Sequence, residues 1–283
     1  MSNNRVNWNN KDHEAGVERF YGNTVEGFGD FHGGYLNFGL WEKDINNYLN
    51  AAENLVKTLG GMLNLSKKSR LLDVGCGMGS QDVFLYKNFT CNISAIDVTW
   101  NHVKIARERI KKEGLTKEIQ IYHGTATNLN FQENKFTNLI SIEAPEHFDT
   151  REKFFYEAYR VLKPKGIMCL SDYVIKRKPK NIFEKFIIKA AIKLWHVPNE
   201  NVYDSEVYKE KLAKAGFKNI EIRYVGKFTI PGYYYEQRRK EVRKALAKIR
   251  GLVINELGFI IDYLLLRAFK LDLIEYILVK AKK

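Results

Sequence analysis

The run Leu71-Leu72-Asp73-Val74-Gly75-Cys76-Gly77-Met78-Gly79-Ser80 constrains the fold of this chain more than any other stretch. An apolar segment ends in glycines at alternate positions, and a helical pattern follows. That is a strand, a tight turn and a helix start. Glycine lets the backbone pass close to a ligand, and the first helical turn adds partial positive charge. Asp73 stands just before the glycines, where it repels a pyrophosphate but suits a ligand bearing cationic groups. The spacing is Gly-x-Gly-x-Gly and then Ser80, not the Gly-x-Gly-x-x-Gly of dinucleotide sites.

From Arg70 onward, apolar runs alternate with amphipathic stretches. The predicted strands are Arg70–Val74, Ile93–Asp97, Ile119–His123, Asn138–Ile142, Ile167–Asp172, Asn219–Tyr224 and Tyr276–Lys280. Helical patterns cover Ser80–Lys87, Thr99–Lys112 and Arg151–Leu162, while the third and fourth strands are joined by little more than a turn. Strands separated by helices give βαβ units with right-handed crossovers and a parallel sheet covered on both faces. Upstream, Lys43–Leu63 reads as a helix with Leu49, Ala52, Leu55, Leu59 and Leu63 on one face. Tyr21–Trp41 is rich in glycine and aromatics and is expected to be irregular but ordered, whereas residues 1–12 are polar and expected to fray. Tyr234–Lys270 is helical, with Val242, Leu246, Ile249, Val253 and Leu257 on one face and with breaks expected at Gly251 and Gly258. It should cap the active edge of the sheet. The domain reading is therefore 1–66 as an N-terminal helical and aromatic cap, 67–175 as the ligand-binding core, 176–232 as its continuation with a basic amphipathic helix, and 233–283 as a helical lid and final strand.

Composition narrows the function classes. Hydrophobic residues make up 45% of the chain, enough for a packed core. The most apolar stretch, 251–269, contains Glu256, Asp262 and Arg267, which argues against a membrane span. Cys76, Cys91 and Cys169 sit in or beside apolar runs without metal-ligand spacing, so they read as reduced core thiols of a cytoplasmic protein, and no metal is expected. The formal net charge is +13, which points toward anionic partners or simply a well-solvated surface. The charge is concentrated. Lys176, Arg177, Lys178 and Lys180 precede the apolar-rich Ile182–Trp195, and Arg238, Arg239, Lys240, Arg243, Lys244, Lys248 and Arg250 stud the tail. Basic faces on apolar helices suit the surface of an anionic membrane, and an amphipathic helix equally suits packing on a core. Nucleic acid is the weaker partner, because no aromatic-rich RNA-binding module accompanies the charge.

The glycine run resembles motif I of the class I S-adenosylmethionine-dependent methyltransferases. Ile96-Asp97-Val98 resembles their acidic second-strand end. Ala158-Tyr159-Arg160-Val161-Leu162-Lys163-Pro164-Lys165-Gly166 resembles the segment leading into their fifth strand, usually written with glycine where Lys165 stands. The resemblance runs from about Tyr21 to the end of the chain. It implies a Rossmann-like α/β fold, doubly wound, with a seven-stranded, mostly parallel sheet, an antiparallel last strand and a helical cap. It implies S-adenosyl-L-methionine as cofactor and S-adenosyl-L-homocysteine as product. The expected cofactor contacts are Asp73, Gly75, Gly77, Gly79, Asp97, Val98, Thr125, Ala126 and Ser141, with Tyr21 and Tyr35 from the N-terminal segment. Gly124-Thr125-Ala126 falls where the family usually carries Gly-Asp-Ala, whose Asp meets the adenine amino group, so Thr125 is a departure that removes a charge.

On the acceptor side, Ser141-Ile142-Glu143-Ala144-Pro145-Glu146-His147-Phe148 follows the fourth strand, at the ligand-binding edge of an open α/β sheet. It lacks the Asn/Asp-Pro-Pro-aromatic motif of enzymes that methylate base amines. It resembles the cyclopropane and mycolic acid methyltransferases in its Glu-His-Phe ending, and the sterol and small-molecule methyltransferases in its Ile-Glu-Ala start and in Gly39-Leu40-Trp41. Glu146, His147 and Glu143 are the candidate catalytic groups, His147 as a base near neutral pH and either Glu if buried. Alternatively Glu143 orders the N-terminal segment and His147 packs before a helix capped at Asp149-Thr150. Phe38, Trp41, Trp195 and Tyr234 are the candidate substrate contacts; with an alkene acceptor, ring faces of Tyr21, Tyr35, Phe38 and Trp41 would steady a carbocation. The expected activity is methyl transfer to an apolar small molecule or lipid, isoprenoid, sterol-like or fatty acyl. Two alternatives remain: an O- or N-methyltransferase of a polar metabolite or natural-product intermediate, and a non-catalytic peripheral membrane protein.

Overall fold

The computed structural model describes residues 11–22, 32–250 and 252–283. Seven strands form one sheet in the order β3-β2-β1-β4-β5-β7-β6. They are β1 (Arg70–Val74), β2 (Asn92–Asp97), β3 (Ile119–His123), β4 (Phe136–Ile142), β5 (Leu162–Ile175), β6 (Lys218–Tyr224) and β7 (Ile274–Lys282). The first five run parallel, and β7 inserts antiparallel between β5 and β6. This is the seven-stranded, mostly parallel Rossmann-like arrangement with an antiparallel last strand that the resemblance implies. β5 is longer than the predicted Ile167–Asp172, because it begins where the preceding helix ends at Val161. Lys165 adopts φ 68°, a left-handed conformation that favours glycine, which is the residue expected there from the resemblance.

The helices are α1 (Lys11–Gly22), α2 (Tyr48–Met62), α3 (Ser80–Phe89), α4 (Trp100–Lys112), α5 (Arg151–Val161), α6 (Ile182–Leu194), α7 (Ser205–Lys214), α8 (Ile230–Gln237), α9 (Lys240–Arg250) and α10 (Leu252–Lys270). Side-chain alternation along the strands divides the core in two. Leu71, Ile140 and Leu278 join a cluster with Leu55 of α2, Leu85 of α3, Ile187 of α6 and Leu265 of α10. Their neighbours Leu72, Leu139 and Ile277 face the other way, onto Phe154 and Ala158 of α5 and Leu212 of α7.

Local chemistry corrects several boundaries. α2 begins at Tyr48 rather than Lys43, because the Asn47 side chain caps it by accepting from the Asn50 N–H at 2.9 Å. Leu49 is exposed, whereas Ala52, Leu55, Leu59 and Leu63 are buried as expected and Ala51 and Val56 join them. In the tail, α9 ends and α10 begins on either side of position 251, which lies outside the described residues, as do residues 1–10. Gly258 lies within α10 and does not break it. Val242 and Leu246 are buried as expected, whereas Leu257 is exposed. No helix among the described residues is long and apolar enough to cross a membrane.

One buried polar hub ties α5 and α7 to β5. Arg151, at the start of α5, is 1% exposed. Its Nε donates to Asp172 of β5 at 2.8 Å and its Nη2 to the other Asp172 oxygen at 2.5 Å, while further donors meet the carbonyls of Tyr173 and Asn201. Tyr208 of α7 donates to Asp172 as well, at 2.8 Å. Removing one partner of such a pair strands a charge in the interior. Asp172→Asn should therefore cost roughly 3–5 kcal/mol. Lys87→Ala, which breaks an exposed pair with Glu113, should cost less than about 1 kcal/mol. Urea unfolding of both variants measures the contrast, and equal losses would mean that Arg151 and Asp172 do not form a buried ion pair.

Candidate active site

The carboxyl ends of β4, β1, β2 and β3 open into one cleft of about 990 Å³, solvent at its mouth included. The glycine turn after β1 forms its floor. Gly75 adopts φ 82°, and a Cβ there would lie 2.4 Å from the Cβ of Ala144, so nothing larger fits between the β1 and β4 turns. Gly79 caps α3 in the left-handed conformation at φ 77°. It sits against Ala106 of α4 instead of in the cleft, so its role is helix packing.

Asp97 holds this turn in place. Its carboxylate accepts from the N–H groups of Gly77 and Thr99, each at 2.8 Å, and lies 3.3 Å from Nδ1 of His102. Burial works to raise its pKa, but His102 and these backbone donors win and hold it below the usual carboxylate range. Asp97, Val98, Thr125 and Ala126 all line the cleft, as do Gly75 and Gly77. Asp73 does not. It is fully buried beneath the turn, accepts from Gln81 at 2.6 Å and neighbours the buried Asp82. Burial lifts Asp73 to about 7. Gln81 reaches the cleft in its place. Ser141 is also absent from the walls, since its hydroxyl ties β4 to β1 through the Val74 carbonyl at 2.5 Å.

Two segments close the cleft from above. α1 contributes Glu14, Val17 and Tyr21, and the stretch before α2 contributes Gly34, Leu36 and Asn37. Glu14 lies in no motif of the sequence. Its side chain accepts from the Thr125 hydroxyl. Nor is His102 among the expected site residues; the signal for it was its place five residues after Asp97, on the inner face of α4. Tyr35, Phe38, Trp41 and Tyr234 lie outside the walls. Tyr35 turns its hydroxyl to Glu53. Phe38 stacks on Tyr233 at 4.0 Å between ring centroids. Trp41 donates to the Phe38 carbonyl at 2.8 Å and packs on Gly232. Tyr234 packs on Tyr235 and under the guanidinium of Arg238. These aromatics build the layer behind the site.

At the β4 end, the three candidate catalytic groups share the cleft but not one environment. Glu143 takes a left-handed φ of 48° and accepts from the Phe38 N–H and the Tyr276 hydroxyl, both at 2.7 Å. It therefore orders the N-terminal segment. Burial raises its pKa to about 8 against the pull of those two donors. Glu146 is buried with one carboxyl oxygen lacking a partner in the protein, and burial followed by the charges of Asp172 and Glu143 raises its pKa well above normal. His147 is driven by burial down to about 3, so it does not titrate near neutrality as a free histidine would. Its Nε2 lies 2.9 Å from the Tyr21 hydroxyl, and its carbonyl meets Nε2 of His13 at 2.9 Å. The side chain of Asn201 donates to the carbonyls of Glu146 and Phe148, at 3.1 and 2.8 Å, which fixes the turn that carries both groups.

A second cavity adjoins the first. Its walls are mostly apolar: Val174 and Ile175 of β5, Ile188, Ala191 and Ile192 of α6, Leu265 of α10. Glu146 and Trp195 belong to both cavities. Among the described residues, no group of three or more His, Cys, Asp and Glu is placed to hold a metal ion.

A family model described as a methyltransferase domain matches residues 72–170. The erythromycin 3''-O-methyltransferase of Saccharopolyspora erythraea is 31% identical over 212 residues, 71% of this chain and 69% of that one. The chain belongs to the class I S-adenosylmethionine-dependent methyltransferases. Two solved structures share the methyltransferase's fold. The cyclase SpnF superposes with a TM-score of 0.75 at 22% identity, covering 94% of each chain. The geranyl diphosphate C-methyltransferase of Streptomyces coelicolor A3(2) superposes with a TM-score of 0.76 at 14% identity, covering 96% of this chain and 98% of that one. The cofactor of this methyltransferase is S-adenosylmethionine, and the cleft fits it. The turn at Gly75 leaves no room for a side chain, so a ligand can pass close to the backbone, and Glu14 and Glu146 each bring a buried oxygen with no donor in the protein.

The buried carboxyls make ligand-free stability depend on pH. Folded Glu143 keeps its proton to about 8, whereas the ordinary carboxyl value is 4.5. Between these values the folded chain binds more protons than the unfolded chain, so stability falls as pH rises. The slope is up to roughly 1.4 kcal/mol per pH unit for one such group. Glu143→Gln should flatten the fall between pH 5 and 8 in denaturant titrations. An unchanged slope would show that Glu143 titrates normally.

Proposed function

We propose that this methyltransferase acts on an acceptor whose bulk is hydrocarbon, of isoprenoid, sterol-like or fatty acyl type. The observation that carries this reading is the second cavity, apolar along most of its wall and meeting the cofactor cleft at Trp195 and Glu146. Bound cofactor supplies an electrophilic methyl group on a sulfonium. In this reading Gly75, Gly77, Asp97, Val98, Thr125 and Ala126 hold the cofactor, and Tyr21 covers it. Trp195 and Glu146 stand where methyl and acceptor meet. Alignment is the main contribution asked of the protein, and it can supply roughly 7–11 kcal/mol of a barrier. The apolar walls hold the acceptor's chain, each buried methylene adding about 0.8 kcal/mol.

A hydroxyl acceptor is the second reading, favoured by the erythromycin relative and by the unpartnered oxygen of Glu146. The two separate by pH. A hydroxyl needs a proton acceptor, and the raised pKa of Glu146 makes the rate climb as pH rises; an alkene gives a product methylated at carbon and needs no such base to form its bond to the methyl.

The first test uses methyl-labelled S-adenosylmethionine with a whole-cell extract, followed by separation of organic and aqueous fractions. Label should enter the organic phase. Ala191→Phe, which fills the second cavity, should cut kcat/KM for that acceptor by about tenfold or more, equivalent to losing roughly two buried methylenes. Cofactor affinity should stay unchanged. Label confined to polar products would overturn the hydrocarbon reading.

The same helices suggest where the acceptor is met. On the outer side of α6, Phe183, Phe186 and Leu194 are exposed along one line, and Lys185, Lys189 and Lys193 along the next. Exposed Leu257, Ile260 and Tyr263 follow at steps of three on α10, which packs against α6. Several cations singled out in the sequence are engaged within the protein: Lys176 with Asp272 at 2.7 Å, Arg177 with Glu184 at 2.7 Å and Arg243 with Glu256 at 2.7 Å. The α6 pattern suits an anionic bilayer, where each lysine adds about 1 kcal/mol. Vesicles containing phosphatidylglycerol should sediment the protein at low salt and phosphatidylcholine vesicles should not. Phe183→Ser with Phe186→Ser should release it. No retention by anionic vesicles would refute bilayer docking.

A further inference from the structure

We infer that Glu14, carried by α1, reads the 6-amino group of the cofactor's adenine, which makes α1 a lid that selects the base. α1 turns Glu14, Val17 and Tyr21 into the cleft, at steps of three and four residues along one helix face. From Glu14 to Tyr21 is about 10 Å of helix axis. Tyr21 stands over His147 at the β4 end, and Glu14 reaches Thr125 at the β3 end. The lid therefore spans the cleft from one end to the other. His13 fastens it again, through Nε2 to the His147 carbonyl at 2.9 Å.

The order of groups along the cofactor sets which part meets Glu14. Its reacting methyl belongs at the junction with the second cavity, beside Glu146 and Trp195; this orientation rests on the function proposed above. The carboxylate of Asp97, one strand beyond the glycine turn, suits the ribose hydroxyls. The base then falls at the turn after β3. The wall there fits a flat ring, with Val17, Val98 and Ala126 as apolar surfaces.

An aromatic amine buried against that wall needs an acceptor, or its lost hydration counts against binding. Thr125 alone brings no charge, and its hydroxyl oxygen already accepts from the Thr127 N–H at 3.3 Å. Oε1 of Glu14 accepts from the Thr125 hydroxyl, and Oε2 is buried with no partner in the protein. Burial raises the pKa of this carboxyl while the Thr125 bond opposes the rise, and a second donor would lower it further. The carboxylate that the β3 turn lacks is delivered across the cleft by the lid.

Calorimetry without acceptor tests this, comparing S-adenosylhomocysteine with its analogue lacking the 6-amino group. Failure here leaves the acceptor reading untouched. Wild type should prefer the amino ligand by roughly ten- to a hundredfold, the worth of a hydrogen bond to a charged group. Glu14→Leu should erase the preference by weakening only the amino ligand. Glu14→Gln, which is neutral and keeps one acceptor oxygen in place of two, should retain only a few-fold preference. Adding Thr125→Asp to Glu14→Leu should restore it, which separates a missing carboxylate from a loosened helix. If Glu14→Leu weakens both ligands alike and Thr125→Asp does not restore the difference, or if neither ligand changes, the inference is wrong.

Discussion

Two hydrogen bonds to one carboxyl group tie the N-terminal segment and β7 to the end of β4. Glu143, at the end of β4, accepts from the backbone of Phe38 and from the hydroxyl of Tyr276 on β7. The first bond seats the irregular segment before α2, and the second ties β4 to a strand two places away in the sheet. Phe38, once seated, stacks on Tyr233 and packs on Trp195 at 5.6 Å, so α8 and the end of α6 take their places against it. Both cavities have Trp195 in their walls. A change at Glu143 would therefore loosen the cleft and the second cavity together.

Most of the fold is legible in the sequence because its signals are local. Apolar alternation along β1, β4 and β7 divides Leu71 from Leu72 and Leu278 from Ile277, and the two faces then need two helical layers. The glycine turn is legible because only glycine tolerates both the left-handed backbone and the 2.4 Å approach of Ala144 at Gly75. The helix limits were less so, since α2 starts where the Asn47 side chain finds a backbone donor, not where apolar periodicity begins.

The candidate site was legible where the chemistry lies in one motif and hidden where it is assembled from distant segments. Asp97 announces itself by ending a strand beside the glycines. Asp73 looks equivalent in the sequence but points beneath the turn, and only three-dimensional packing shows that Gln81 takes its place at the surface of the cleft. Glu14 had no sequence signal at all, because its meaning depends on Thr125, more than a hundred residues away. The second cavity is invisible for the same reason. Its walls come from β5, α6, α10 and the start of α5.

His147 shows how context reverses a reasonable expectation. An exposed histidine is half protonated near neutrality and makes a natural base. Here burial removes water from the ring, and the cation becomes the costly form, so its pKa drops to about 3. The ring is then a neutral hydrogen-bonding partner for Tyr21 across the physiological range. The same burial acts in the opposite direction on Glu146, whose neutral form is the protonated one. Adjacent residues on one short turn are thus pushed apart, the histidine toward holding no extra proton and the glutamate toward keeping its own. Glu146 can take up a proton only once its carboxyl is ionised, which a cationic ligand beside it favours and burial opposes.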